Sequence, residues 1–344
     1  MARRYSYDDD DENIPFEVGL RNLEAENHWQ KIDIDSYKIE KPMLICLGGN
    51  GSVEPRDANG ICKLFENMIG LKKQRTHEVA TKNDVDVMGF VYSKRLRSSE
   101  VGRLKDKDCK TIVEKLFMPL FKDDRGNRLT CEQAMKNANK LNFATHCYGT
   151  TVLKDFLNIM EDNIYDLGYS ADEAQQIFSQ MLAVNYAPQT ATDKIPNLQI
   201  YSGSDFNGIP CYSSDFLRGI FYEFFDKTYN DNKVYSNTVF KENNSVILLT
   251  TNMLKIHYGN DDHFLECLER DAETWLSTPA NGYFADLISK ATSFVLANSI
   301  ANSIENCNQE TFTPKMTVDD ILQSGKEILE NNQTDIEVLA NELI

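Results

Sequence analysis

Leu141-Asn142-Phe143-Ala144-Thr145-His146-Cys147-Tyr148-Gly149 is the stretch on which the fold turns. Leu141 to His146 reads as a buried strand that runs directly into Cys147. From about Thr150 to Asp166 the pattern is helical, and Gly168 stands where a helix C-cap is expected. A cysteine therefore occupies the junction of a buried strand and a helix.

The same grammar repeats on both sides of this junction. Upstream, Met43 to Leu47 is a continuous apolar run that enters Gly48-Gly49-Asn50-Gly51. A helix with Ile61, Leu64, Phe65 and Met68 on one face follows, then a strand at Val85 to Tyr92 and helices within Cys109 to Leu120 and Cys131 to Lys140. Downstream, Ser170 and Glu173 form a capping box for another helix, and Met181 to Tyr186, Leu198 to Ser202 and Ser245 to Thr250 read as three further buried strands. Phe16 to Asn22 and Gln30 to Ile39 alternate instead, as an antiparallel pair at a sheet edge does. Strands alternating with helices predict an α/β fold with a doubly wound, mostly parallel sheet.

The periphery differs in composition. Residues 1–15 hold Asp8 to Asp11 and Glu12 in a row, which predicts a disordered acidic arm. Residues 16–304 carry the α/β domain, with a helical insertion at about 206–244 whose Phe, Tyr, Asn and Asp content suits a lid. After a long helical pattern at Phe284 to Ile304, residues 305–344 are expected to form a separable acidic helical tail. In it, Thr317 and Thr334 each cap a short amphipathic helix.

Composition excludes several classes. The 344 residues are 41% hydrophobic with a net charge of -17, which supplies a large core and argues against broad contact with nucleic-acid phosphates. Eight cysteines without a CxxC pair read as free thiols, and no run approaches the roughly 20 apolar residues of a membrane span. A cytoplasmic protein follows, with no nucleic-acid partner and no membrane span.

The motif Thr145-His146-Cys147-Tyr148-Gly149 fits a strained turn in which small residues flank a nucleophile at two positions' distance. Gly149 meets that need, whereas Thr145 stands where glycine is usual. On these residues the chain resembles the α/β-hydrolase superfamily, and in particular its members with cysteine at the nucleophile elbow. Three further segments match in that superfamily's order. Gly48-Gly49-Asn50-Gly51 corresponds to the oxyanion-hole loop, Ile200-Tyr201-Ser202-Gly203-Ser204-Asp205 to the strand end bearing the acid, and Asp262-His263-Phe264-Leu265 to the histidine loop.

The resemblance implies Cys147 as nucleophile, His263 as base and Asp205 as the acid that orients it, with backbone N–H groups of Gly49, Asn50 and Tyr148 holding an oxyanion. His257 competes with His263 for the base, since both follow the last strand. His146 reads as structural. The group His257, Asp261, Asp262 and His263 lacks HExxH or paired-cysteine spacing, so no metal and no cofactor are expected. Lys94, Arg95, Arg97, Arg103, Lys105 and Lys107 follow the strand Val85 to Tyr92, and Arg95 and Arg97 are candidates for an anion-binding wall.

The expected activity is that of a cysteine-dependent hydrolase or acyltransferase acting on a small-molecule ester, thioester or lactone. The alternative is a catalytically inactive hydrolase-fold protein used for binding or as a scaffold, with a protein partner docking on the C-terminal helices. Acyl group, acceptor and oligomeric state are not legible.

Overall fold

The computed structural model of the chain describes residues 16–22, 28–69, 84–93, 102–190, 192–202, 238–250 and 279–342. Six strands run parallel: β3 (Met43–Leu47), β4 (Asp86–Val91), β5 (Leu141–His146), β6 (Leu182–Tyr186), β7 (Asn197–Ser202) and β9 (Ser245–Thr250). Three edge strands are antiparallel to their neighbours: β1 (Glu17–Arg21), β2 (Trp29–Lys31) and β8 (Thr238–Glu242). Together they make one nine-stranded sheet in the order β2-β1-β4-β3-β5-β6-β7-β9-β8. The protein is thus α/β, with a mostly parallel sheet.

Both faces of that sheet are covered, which is why its strands read as continuous apolar runs. Met43, Ile45 and Leu47 of β3 enter one core layer, and Leu44 and Cys46 enter the other. The first layer is closed by α2 (Asp106–Ile112), α3 (Cys131–Ala138), α4 (Gly149–Asp166) and α5 (Ala171–Phe178). The second is closed by α1 (Pro55–Met68), α6 (Pro279–Asn308) and α7 (Val318–Glu342). The helix expected over Cys109 to Leu120 is α2 prolonged by a π turn at Val113–Phe117 and a 3-10 turn at Met118–Phe121.

The chain order places β3 between β4 and β5. From β3 the chain leaves for α1 on one face, and from β5 it leaves for α4 on the other. The two connections part at the carboxyl ends of adjacent strands, which opens the crevice where sheets of this kind bind ligands. Cys147 stands at that point.

The edges depart from expectation in detail. The antiparallel pair forms, but β2 stops at Lys31 because Asp33 O accepts the N–H groups of Ser36 at 3.2 Å and Tyr37 at 3.0 Å, turning the chain. The segment expected as an insertion ends in β8, joined to β9 by a tight turn in which Asn243 has φ 52°. The remainder of that segment, 206–237, lies outside the described residues, as does the arm 1–15.

The C-terminal helices are not separable in the way composition predicts. The chain from Val318 to Glu342 is one helix, because no Gly or Pro interrupts it between Glu330 and Thr334. Thr317 caps it as expected, its hydroxyl accepting Asp320 N–H at 3.2 Å. Its first turns bury Val318 and Ile321 in the second core layer.

Just before this helix, Lys315 is buried, and its Nζ donates to Leu141 O at 3.1 Å and to Asn142 Oδ1 at 2.7 Å. Ser299 of α6 donates to the same Asn142 oxygen at 2.6 Å, so a polar cluster ties both C-terminal helices to the start of β5.

Burial holds the Lys315 amine well below its ordinary 10.5. Between the folded and unfolded values the unfolded chain binds the extra proton, so stability rises with pH through that window and falls as pH drops towards the folded value. Thermal unfolding from about pH 7 to about pH 9.5 is expected to show this slope in the wild type and a flatter one in Lys315→Met. Parallel slopes would mean that the ammonium is accommodated in the fold. No helix among the described residues is long and apolar enough to cross a membrane.

Candidate functional site

Cys147 follows β5 with φ 53°, in the left-handed region that a residue with a Cβ avoids. Holding it there costs on the order of 1–3 kcal/mol, which the surroundings must supply. They do so through hydrogen bonds: Cys147 N–H donates to Tyr186 O of β6 at 3.1 Å, and Cys147 O accepts Thr150 N–H at 3.1 Å and the Thr150 hydroxyl at 2.6 Å. The chain then enters α4, an 18-residue helix whose N-terminus favours negative charge beside the sulfur.

Gly149 is required by close approach. A Cβ on it would lie 2.2 Å from Leu47 O and 2.9 Å from Gly48 O, so α4 could not start where it does. Gly149→Ala is expected to cost about 3 kcal/mol or more through displaced backbone. That loss should lower Tm by roughly 5 °C or more. Gly51→Ala is the control, because nothing lies within 4 Å of its Cβ position. Equal Tm values for the two variants would contradict this account.

Thr145 departs from the glycine expected there, and the fold absorbs it. Its hydroxyl donates to Asn185 Oδ1 of β6 at 2.8 Å, and Asn185 Nδ2 donates to the Thr192 hydroxyl at 2.9 Å. The crowding that usually demands a small residue two positions before the nucleophile is relieved on the β6 side.

The loop after β3 rides over Cys147. A Cβ on Gly49 would lie 3.4 Å from Cys147 Cβ, 3.8 Å from its sulfur and 3.6 Å from His146 Nδ1. Three carbonyls of this loop are engaged: Gly48 O accepts the Tyr92 hydroxyl at 2.8 Å, Gly49 O accepts Ser52 N–H at 3.1 Å, and Asn50 O accepts Gly102 N–H at 3.0 Å. In a trans peptide the N–H points opposite the preceding C=O, so the N–H groups of Gly49 and Asn50 are turned away from those partners. Neither they nor Tyr148 N–H donates to an acceptor among the described residues. Asn50 Oδ1 is likewise buried without a hydrogen-bond partner among them.

Of the expected residues, the fold therefore brings Cys147, Gly49, Asn50 and Tyr148 together. His146 stacks at 5.8 Å on Tyr186. Asp205, His263, His257, Arg95 and Arg97 lie outside the described residues. The chain leaves β7 at Ser202 and β9 at Thr250, at the same edge of the sheet as the end of β5. The basic segment returns at Arg103, whose guanidinium lies 5.8 Å from the centre of the Tyr148 ring. Tyr148 is half-buried, and burial pushes its phenol up to about 12, so it stays neutral.

One side chain escapes the sequence reading. Gln189, three residues beyond β6, donates from Nε2 to Cys147 Sγ at 3.1 Å. Its signal in the sequence is only its place at the carboxyl end of the strand beside β5.

No protein-family model matches the chain, and no curated protein matches it.

Proposed function

We propose that this protein is a cysteine-dependent enzyme of α/β-hydrolase type that hydrolyses an ester, thioester or lactone or transfers its acyl group. The observation that carries the reading is the left-handed Cys147 beneath the Gly49 loop. A cysteine that merely fills the core gains nothing from φ 53°, whereas a nucleophile gains exposure of its sulfur towards the crevice. The position of the elbow at the β3/β5 switch point and the free N–H groups of Gly49, Asn50 and Tyr148 support it further.

In this reading His263, oriented by Asp205, takes the thiol proton as Cys147 Sγ attacks the acyl carbon. The carbonyl electrons move onto oxygen, which the three N–H groups receive. Collapse breaks the bond to the leaving group, His263 returns the proton to it, and a thioester remains on Cys147. Water or an acceptor alcohol, amine or thiol then attacks that thioester with His263 again as base. Arg95 and Arg97, with Arg103 beside Tyr148, would favour an anionic acyl or leaving group.

The test is covalent. The protein is incubated with p-nitrophenyl butyrate or a butyryl thioester, then analysed by intact mass and peptide mapping. A butyryl adduct on Cys147 is expected. No adduct and no turnover in the wild type would overturn the enzyme in favour of a binding protein built on the same fold.

A further inference from the structure

We infer that Gln189 is a catalytic residue of this site, its carboxamide donating first to the Cys147 sulfur and then to the oxyanion that forms beside it. The inference rests on the acyl-transfer reading above and adds a side-chain donor to the backbone N–H groups already described.

The placement of Gln189 is tied to the elbow itself. Its backbone N–H donates to the Thr150 hydroxyl at 3.0 Å, and that hydroxyl donates to Cys147 O at 2.6 Å. The next residue adds a hydroxyl contact from Thr190 to Thr151 at 3.4 Å. Ala187, with φ 45°, turns the chain out of β6 so that Pro188 and Gln189 reach the start of α4. Pro188 fixes its own φ, which limits the freedom of the segment. Gln189 thus moves with the strained turn that carries the sulfur.

The chemistry follows from distance. Nε2 stands 3.1 Å from Sγ, and the oxygen of a tetrahedral adduct lies only two bonds from that sulfur. A small side-chain rotation transfers the hydrogen bond from sulfur to oxygen as charge moves the same way. The N–H bond stays intact throughout, so no proton is consumed. Donors aimed at the developing oxyanion act only in the transition state, so their removal lowers kcat rather than raising KM.

Gln189→Ala and Gln189→Met, the second keeping most of the volume without a donor, separate this role from packing. Two rates are measured on each: turnover of p-nitrophenyl butyrate, and alkylation of Cys147 by iodoacetamide, which builds no oxyanion. Turnover is expected to fall by about 10²- to 10³-fold in both variants with KM little changed. Alkylation should fall by less than about 10-fold, the thiolate losing one hydrogen bond. Unchanged turnover, or an equal fall in both rates, would refute the oxyanion role while leaving acyl transfer by the wild type standing. A wild type that is alkylated at Cys147 but never acylated overturns the parent reading and this role with it.

Discussion

Cys147→Ala is expected to lower turnover of short-chain esters and thioesters by roughly 10⁴-fold or more, because a nucleophile has no substitute within the site. Stability should change little. The residue makes its fixing hydrogen bonds through backbone atoms, and alanine carries the same Cβ through the left-handed turn. The variant is therefore a folded enzyme without its sulfur, and near-wild-type Tm with lost turnover is the diagnostic pair.

Brief iodoacetamide labelling near neutral pH gives an independent reading of the same site. Burial raises the pKa of Cys46, Cys109, Cys131 and Cys307, with Cys109 pushed up to about 12, so these thiols hold little thiolate at that pH. Cys147 instead sits at the N-terminal end of an 18-residue helix, with a donor amide on its sulfur. Peptide mapping should find the label first on Cys147. Labelling spread evenly over several cysteines, or turnover persisting in Cys147→Ala, would remove it as nucleophile.

What the sequence disclosed about this site follows from how local each signal is. Met43 to Leu47, Leu141 to His146 and Ser245 to Thr250 become β3, β5 and β9 with those bounds, because a doubly buried strand is apolar along its length and ends at residues that cannot continue it. The Gly48 to Gly51 loop and the Cys147 elbow were legible for the same reason: a turn with unusual backbone demands declares itself through small residues.

Contacts between distant segments leave no such mark. Gln189 is 42 residues from Cys147, and nothing beside it in the chain announces a partner. Lys315, in a strongly acidic tail, reads as one more solvated lysine. Its burial depends on Asn142, 173 residues away, whose side chain is itself shaped by Ser299. The tail was expected to be separable because charge dominates its composition, yet Val318 and Ile321 suffice to seat it on the second core layer.

The identity of the base has the sharpest expected result. His263→Ala should cost about 10³-fold or more in turnover, since one imidazole serves both attack and departure, while His257→Ala should leave most of it. The strands constrain the choice. β5, β7 and β9 are parallel, so their carboxyl ends share one edge of the sheet, and the chain leaves β9 at Thr250 with seven residues to His257 and thirteen to His263.

Between β9 and Cys147 the sheet interposes β7 and β6, so a base must cross three strand spacings of about 4.8 Å each, roughly 14 Å. Seven extended residues can span about 23 Å, so reach alone admits both histidines. The preference for His263 rests on its setting in Asp262-His263-Phe264-Leu265, where the apolar pair that follows can anchor the ring against the core.

Asp205→Asn should retain the fold and lose most of the rate, because an amide stabilises the wrong histidine tautomer. The pH profile separates the two roles. Loss of the base should remove the acid limb of kcat/KM altogether, whereas Asp205→Asn should leave a limb shifted to lower pH, the imidazolium having lost its carboxylate. If His257→Ala is the inactive variant and keeps its Tm, the base is reassigned within an otherwise unchanged mechanism. If both histidine variants turn over like wild type, the proton is carried by another group, for which His146, beside the Gly49 loop, is the next variant to measure.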